Sequence, residues 1–397
     1  MPQIPLYKSR KEVFEHFETQ MNRSYQQVRE SKLEHESTFL KTYLLECAWQ
    51  SPDSSGQEFQ ILNEILSISP FNEKAPRIVP KISETQESGF YRVEWNQLNR
   101  QPVTLYLDTG TPSNRRFWTA WSLSDVSTLD RTLRQLTKEH ALLDHVWFWP
   151  SLLQETQGKG EFRGIGVEYD YRRFEARKGT QEPTNRFKLQ MWGGPETASI
   201  LEFIGEHEAF KHRATLSKVR LKYWDIPEER DRFALEDIKF NGKFTTRGTS
   251  FQTHQALVGD LREIYTRKIQ TIEHNHVLKT APQSPVPTRP ESGVIFSFAQ
   301  SPIEDLDSFC EVVFSSNLPF RLWGVPRKTL VGEEGRVVAA VDLHTGSKLF
   351  FEIYPTDIYL QLENGACGNT VARFFTNLQQ TFSRLVSAED HDGRSIF

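Results

Sequence analysis

Glu363-Asn-Gly-Ala-Cys-Gly-Asn-Thr-Val-Ala-Arg-Phe-Phe-Thr-Asn-Leu-Gln-Gln-Thr-Phe382 carries two structural signals in succession. Gly365 and Gly368 bracket a turn, and Val371, Phe374, Phe375, Leu378 and Phe382 then recur at three- and four-residue steps. That spacing predicts a helix with one apolar stripe, capped by Asn369 or Thr370, directly after a strand. Such a stripe must cover another apolar surface, and the strand beside it makes a sheet the natural one. The stretch reads as strand, turn and helix closing the last module of an α+β chain.

Working outward, strand-like runs near 319–326, 336–342, 348–353 and 357–362 supply the sheet, after a strand at Val294–Phe298 and a helix near 303–315. This C-terminal α+β module spans 293–388, and the polar tail 389–397 is expected to be loose. Ala281-Pro-Gln-Ser-Pro-Val-Pro-Thr-Arg-Pro290 holds four prolines, which forbid helix and predict a linker over 281–292. Ahead of it, 194–280 reads helix, strand, strand, helix, with Phe251, Leu257, Leu261, Ile264, Tyr265 and Ile269 along the last helix. An earlier α+β module covers 88–193. There Val103, Leu105 and Leu107 alternate as in a half-buried strand, and Ser127 is placed to cap a helix carrying Leu129, Leu133 and Leu136.

Residues 1–87 read as a helical region: Phe14, Phe17, Met21, Tyr25 and Val28 keep helical steps, and Phe39, Leu40, Tyr43, Leu44 and Cys47 resume them. Strands that pair locally, each sheet covered by helices, indicate a multi-domain antiparallel α+β chain rather than a doubly wound one. At 397 residues with 28 Phe and 9 Trp, there is length for two or three domains and enough aromatic bulk for their cores.

Charge and cysteine usage limit the partners. A net charge of −4 gives no global attraction to nucleic acid or anionic membrane. Three scattered cysteines, Cys47, Cys310 and Cys367, exclude a disulfide scaffold and fit a reducing compartment. No run is long and apolar enough to span a bilayer, so the expectation is a soluble cytoplasmic protein with no membrane partner.

Several residue sets could carry chemistry. Cys367 at a helix N-terminus would have a lowered thiol pKa, with His344 as the nearby base. The run Asn364-Gly-Ala-Cys-Gly-Asn-Thr-Val371 resembles the cysteine signature of the Ulp/SENP ubiquitin-like-protein proteases, with Ala366 at that family's aspartate position. The resemblance implies a thiol hydrolase. The packing alternative makes Cys367 a small buried residue at a strand–helix junction. In Phe233-Ala-Leu-Glu-Asp-Ile-Lys-Phe240, Asp237 and Lys239 share one strand face and Asp225 ends the preceding strand. This resembles the PD-(D/E)xK nuclease arrangement and implies Mg²⁺ as its ion; a solvated strand face is the competing account.

The Arg-x4–6-His spacing of HEPN ribonucleases occurs at Arg29/His35, Arg134/His140 and Arg247/His254, and three hits in unrelated segments carry little information. For nucleic acid, the best positions are Arg172 and Arg173 beside Tyr169 and Tyr171, and the alternating Lys218, Arg220 and Lys222. Trp147-Phe-Trp149 is expected in a core. The sequence supports a non-enzymatic binding or adaptor subunit of an intracellular complex, with a protein partner, nucleic acid as a second ligand and no cofactor. The alternative is a hydrolase, either the Mg²⁺ nuclease or the thiol enzyme.

Overall fold

The computed structural model describes residues 7–31, 39–48, 55–69, 77–96, 102–110, 115–177, 185–194, 196–278, 292–328 and 335–397. In chain order the first elements are α1 (Arg10–Ser31), β1 (Leu40–Cys47), α2 (Ser55–Ile65), β2 (Lys81–Glu84), β3 (Phe90–Trp95), β4 (Val103–Asp108), β5 (Phe117–Ser122), α3 (Val126–Glu139) and β6 (Leu143–His145). Then come α4 (Pro150–Gln157), β7 (Glu161–Asp170), α5 (Arg172–Arg177), β8 (Arg186–Trp192), α6 (Glu196–Glu206), β9 (Leu216–Tyr223), β10 (Ala234–Lys239), β11 (Lys243–Gly248) and α7 (Phe251–His276). The last are β12 (Val294–Ser297), α8 (Leu306–Val313), β13 (Leu322–Lys328), β14 (Arg336–Asp342), β15 (Lys348–Ile353), β16 (Asp357–Leu362), α9 (Gly368–Thr381) and β17 (Ser387–Glu389). The described strands form two antiparallel sheets, of eleven and six strands, and the fold is α+β. No helix among the described residues is long and apolar enough to cross a membrane.

The chain divides into two compact units that interleave along the sequence. One holds residues 1–146, 159–161 and 220–263; the other holds 147–158, 162–219 and 264–397. The modules expected at 88–193 and 194–280 therefore each contribute to both units. The Pro-rich segment Ala281–Pro290 lies outside the described residues.

In the first unit the strand order is β2-β3-β4-β5-β1-β11-β10, with β6 also paired to β1. The sheet is buried on both faces. Tyr43, Leu45, Val93, Leu105 and Trp118 pack with Leu62 of α2 and Leu129, Leu133 and Leu136 of α3 on one side. Leu40, Phe90, Tyr106 and Trp121 pack with Val13, Phe17 and Met21 of α1 and Phe251 of α7 on the other. Here one expectation fails: Leu40–Cys47 is strand β1, not helix. All eight of its residues are buried. A central strand covered on both faces loses the alternation that marks a strand, so its apolar residues fell by chance at helical steps. Asp125, not Ser127, caps α3, accepting the Thr128 backbone N–H at 2.8 Å.

In the second unit α9 is the central helix. Residues Gly368 to Gln380 are all buried, polar ones included. Arg373, Asn377 and the amide nitrogens of Gln379 and Gln380 find partners, while Thr376 Oγ1 has none among the described residues. Thr215 Oγ1 donates to the Gln379 carbonyl at 2.6 Å, and Gln380 Nε2 donates to the Leu216 carbonyl at 2.9 Å. Phe374 packs edge-on to Phe296 of β12 at 4.9 Å, so the apolar stripe covers the six-stranded sheet as its spacing implies. That sheet runs β13-β14-β15-β16-β12-β17, mostly sequential neighbours.

Gly365 makes the turn at φ +82°, and a Cβ on Gly368 would stand 2.8 Å from the Ile269 carbonyl oxygen, so only glycine allows α7 this close. Neither Asn369 nor Thr370 caps α9. Cys367 is the N-cap residue without a side-chain hydrogen bond, and the Glu273 carboxylate accepts the Gly368 N–H at 2.8 Å instead. The C-terminal tail is also not loose. Phe397 stacks on Phe375 at 4.8 Å and lies 4.8 Å from Trp149, and Ile396 is 6% exposed. Trp147, Phe148 and Trp149 are buried, as expected.

Candidate functional site

The sequence-selected residues are positioned very differently from one another. Asp237 and Lys239 do share a half-buried face of β10, but Arg220 of β9 grips Asp237 with two parallel hydrogen bonds, one of them Nη2 to Oδ2 at 2.6 Å. Two candidate sites thus consume each other: the arginine expected to track phosphate neutralises the carboxylate expected to hold Mg²⁺. Asp225 is exposed after β9. The other cations of that strand are engaged too. Lys218 is only 8% exposed, and Lys222 Nζ sits 4.0 Å from the Phe233 ring centre and 4.9 Å from that of Trp224, a cation–π arrangement. Arg172 is exposed at the start of α5 but forks onto Asp170, at 2.8 and 2.5 Å; Arg173 is exposed beside it.

The structure does bring His344 and Cys367 together. A ring nitrogen of His344 and the Cys367 sulfur lie within 4.8 Å of each other. His344 follows β14 in a turn whose backbone N–H donates to Asp342 Oδ1 at 3.1 Å, and Cys367 opens α9. Both are buried, at 0% and 7% exposure. The two side chains are neighbours, and their burial shuts out a bulky substrate.

A feature that residue-by-residue motif reading missed is the outer face of the C-terminal sheet. Register places Trp323, Val325 and Arg327 of β13 opposite Val341, Ala339 and Val337 of β14. These in turn face Lys348, Phe350 and Glu352 of β15, then Gln361 and Tyr359 of β16. The inward-facing partners Val338, Ala340, Phe351 and Leu360 are core. The outward set is not: Trp323 is 52% and Val325 58% exposed, Ala339 is exposed, and Val337, Val341, Phe350 and Tyr359 are half-buried. A solvent-facing side of an antiparallel sheet is ordinarily polar. Here an apolar strip crosses four strands, with Arg327, Lys348 and Glu352 among it. The signal was present in Arg336-Val-Val-Ala-Ala-Val-Asp342, which is apolar at both parities.

At the edge, Pro326 of β13 lacks an N–H, which disfavours a further strand there and leaves the face as the feature to explain.

These features can be set beside known proteins. "Uncharacterized protein MJECL33" of Methanocaldococcus jannaschii is 27% identical over 418 aligned positions, covering 96% of this chain and 93% of that protein. The family model for MJECL33-like proteins matches residues 1–395, nearly the whole length, and the chain belongs to the MJECL33-like protein family.

Proposed function

We propose that this chain is a binding subunit, an adaptor in an intracellular complex, that holds a folded protein partner on the outer face of its C-terminal sheet. The observation that carries the reading is the apolar strip headed by Trp323 and Val325. Exposed apolar surface organised in register across four strands costs solubility and is kept where another surface covers it. A tryptophan flanked by aliphatic residues and ringed by a few charges has the composition of an interface centre.

The test is the double substitution Trp323→Asp with Val325→Asp. Both side chains point to water, so stability is expected to stay within about 0.5 kcal/mol of the parent. The complex recovered from the native cell is expected to fall apart, with affinity down about a hundredfold. A complex that persists with this double substitution would contradict the assignment.

The hydrolase reading keeps one supporting observation, the closeness of His344 and Cys367. It requires an accessible thiolate. Since Cys367 is buried, alkylation by iodoacetamide at neutral pH is expected to be slower than for a free thiol and to accelerate only on unfolding. Rapid modification of Cys367 in the folded chain would favour the thiol enzyme.

A further inference from the structure

The second unit contains a cleft of about 480 Å³, lined in part by the stretch Tyr169 to Phe174. It lies among α5, the segment 207–213 and the segment leading into α8, with Phe382 at the end of α9 also on its lining. This volume is in the range of small-molecule sites, roughly 300–1,000 Å³. One wall is a ladder of rings in nearly parallel planes. Tyr169 and Tyr171 are 4° apart in plane, Tyr171 and Phe174 21°, and Phe174 and Phe309 25°. The ladder is locked in place: the Tyr169 hydroxyl donates to the Phe382 carbonyl at 2.7 Å, and Phe174 meets Phe382 edge-on at 5.4 Å. Only Tyr171 among these rings is half-exposed.

The charges around the ladder are unequal in their commitments. Asp305 caps α8, accepting from the Ser308 backbone at 3.0 Å and the Ser308 hydroxyl at 2.6 Å. Glu208 pairs with Lys211 at 2.7 Å and points largely to water, and Glu304 is exposed. His212 shares a hydrogen bond with Ser383 at 3.3 Å, and burial and the neighbouring Lys211 push its pKa down. Arg213 lines the cleft half-buried, and its guanidinium has no ion pair among the described residues. A half-buried arginine beside stacked rings offers a planar surface and a forked cationic donor together.

We propose that this cleft binds a small planar heteroaromatic ligand carrying one anionic group, of the mononucleotide kind, with the ring against Tyr171 and the anion on Arg213. The site is independent of the outer sheet face and of the Cys367 thiol.

Titration calorimetry of the full chain with AMP, UMP, adenosine and inorganic phosphate tests it. AMP or UMP is expected to bind, with adenosine at least about tenfold weaker because the charged contact is missing. Arg213→Gln is expected to bring AMP down to the level of adenosine while leaving adenosine unchanged. Arg213→Lys should restore part of the loss, and Tyr171→Ala should weaken both ligands. A 5′-phosphorylated trinucleotide binding more tightly than AMP would identify a nucleic-acid end as the source, and equal or weaker binding a free nucleotide. No heat from any probe at millimolar concentration, or AMP affinity unchanged in folded Arg213→Gln, would overturn the assignment.

Discussion

Replacing Asp342 with alanine is expected to destabilise the second unit by about 3–5 kcal/mol, because it strands a buried arginine. Asp342 ends β14 with no exposure, and Arg373 of α9, also fully buried, donates Nη2 to its Oδ1. Thr370 Oγ1 donates to the other oxygen at 2.5 Å. Arg373 Nε reaches the Phe320 carbonyl at 2.9 Å, so the guanidinium fastens the helix both to the sheet and to the segment before β13.

The pair as a whole need not be strongly stabilising, since desolvating two charges offsets much of their attraction. Removing one partner is different, because the other charge stays in the core uncompensated. The double variant Asp342→Ala with Arg373→Met should therefore recover part of the loss, and urea denaturation followed by circular dichroism measures both. A single-variant cost below about 1 kcal/mol would mean the core around Arg373 takes in water, and the account of α9 as a buried anchor fails.

The second large effect lies in the first unit. His254→Leu is expected to cost about 3–4 kcal/mol, as it leaves a buried carboxyl with fewer partners. His254 of α7 shares hydrogen bonds with Thr42 Oγ1 at 2.7 Å through Nε2 and with Glu236 Oε1 at 2.7 Å through Nδ1. Thr246 Oγ1 donates to the second oxygen of Glu236 at 2.6 Å. All four residues have zero exposure. The hydroxyl–imidazole–carboxyl order is one that hydrolases use, but here no reactant can reach the Thr42 hydroxyl, and the network's effect is to lock β1, β10, β11 and α7 in register. Thermal unfolding should show the loss. Glu236→Gln, which keeps the shape and two polar atoms, should lose less than His254→Leu.

The six-stranded sheet was readable because most of its strands pair with their sequence neighbours and its covering helix carries a clean apolar stripe. The N-terminal sheet was not, for two physical reasons. Strand β1 takes its partners from β5, β6 and β11, whose pairing residues stand 71 or more positions away, so nothing local encodes its place. Burial on both faces then erased its period of two. The tail shows composition misleading in the other direction: residues 389–397 are mostly polar, yet Ile396 is buried with its N–H on the Ala388 carbonyl and Phe397 stacks on Phe375.

For the sites, residue type identified Asp237 and Arg220 as notable but could not say that they satisfy each other. His344 and Cys367 were paired by proximity in sequence and do come within 4.8 Å. The aromatic cleft draws on five separated stretches of chain, and residue type singled out Tyr169 to Phe174 without bringing the other stretches to it.

The central claim, that the outer face of the C-terminal sheet holds a protein partner, is tested most directly by placing a photo-crosslinking amino acid at position 323. Illumination in the native cell, with position 228 as an exposed control, reports what touches each surface. Binding at the sheet face predicts one discrete protein adduct from 323, absent from 228 and lost when Val325→Asp is added. Only uncrosslinked chain from 323, or the same adducts from both positions, would contradict it.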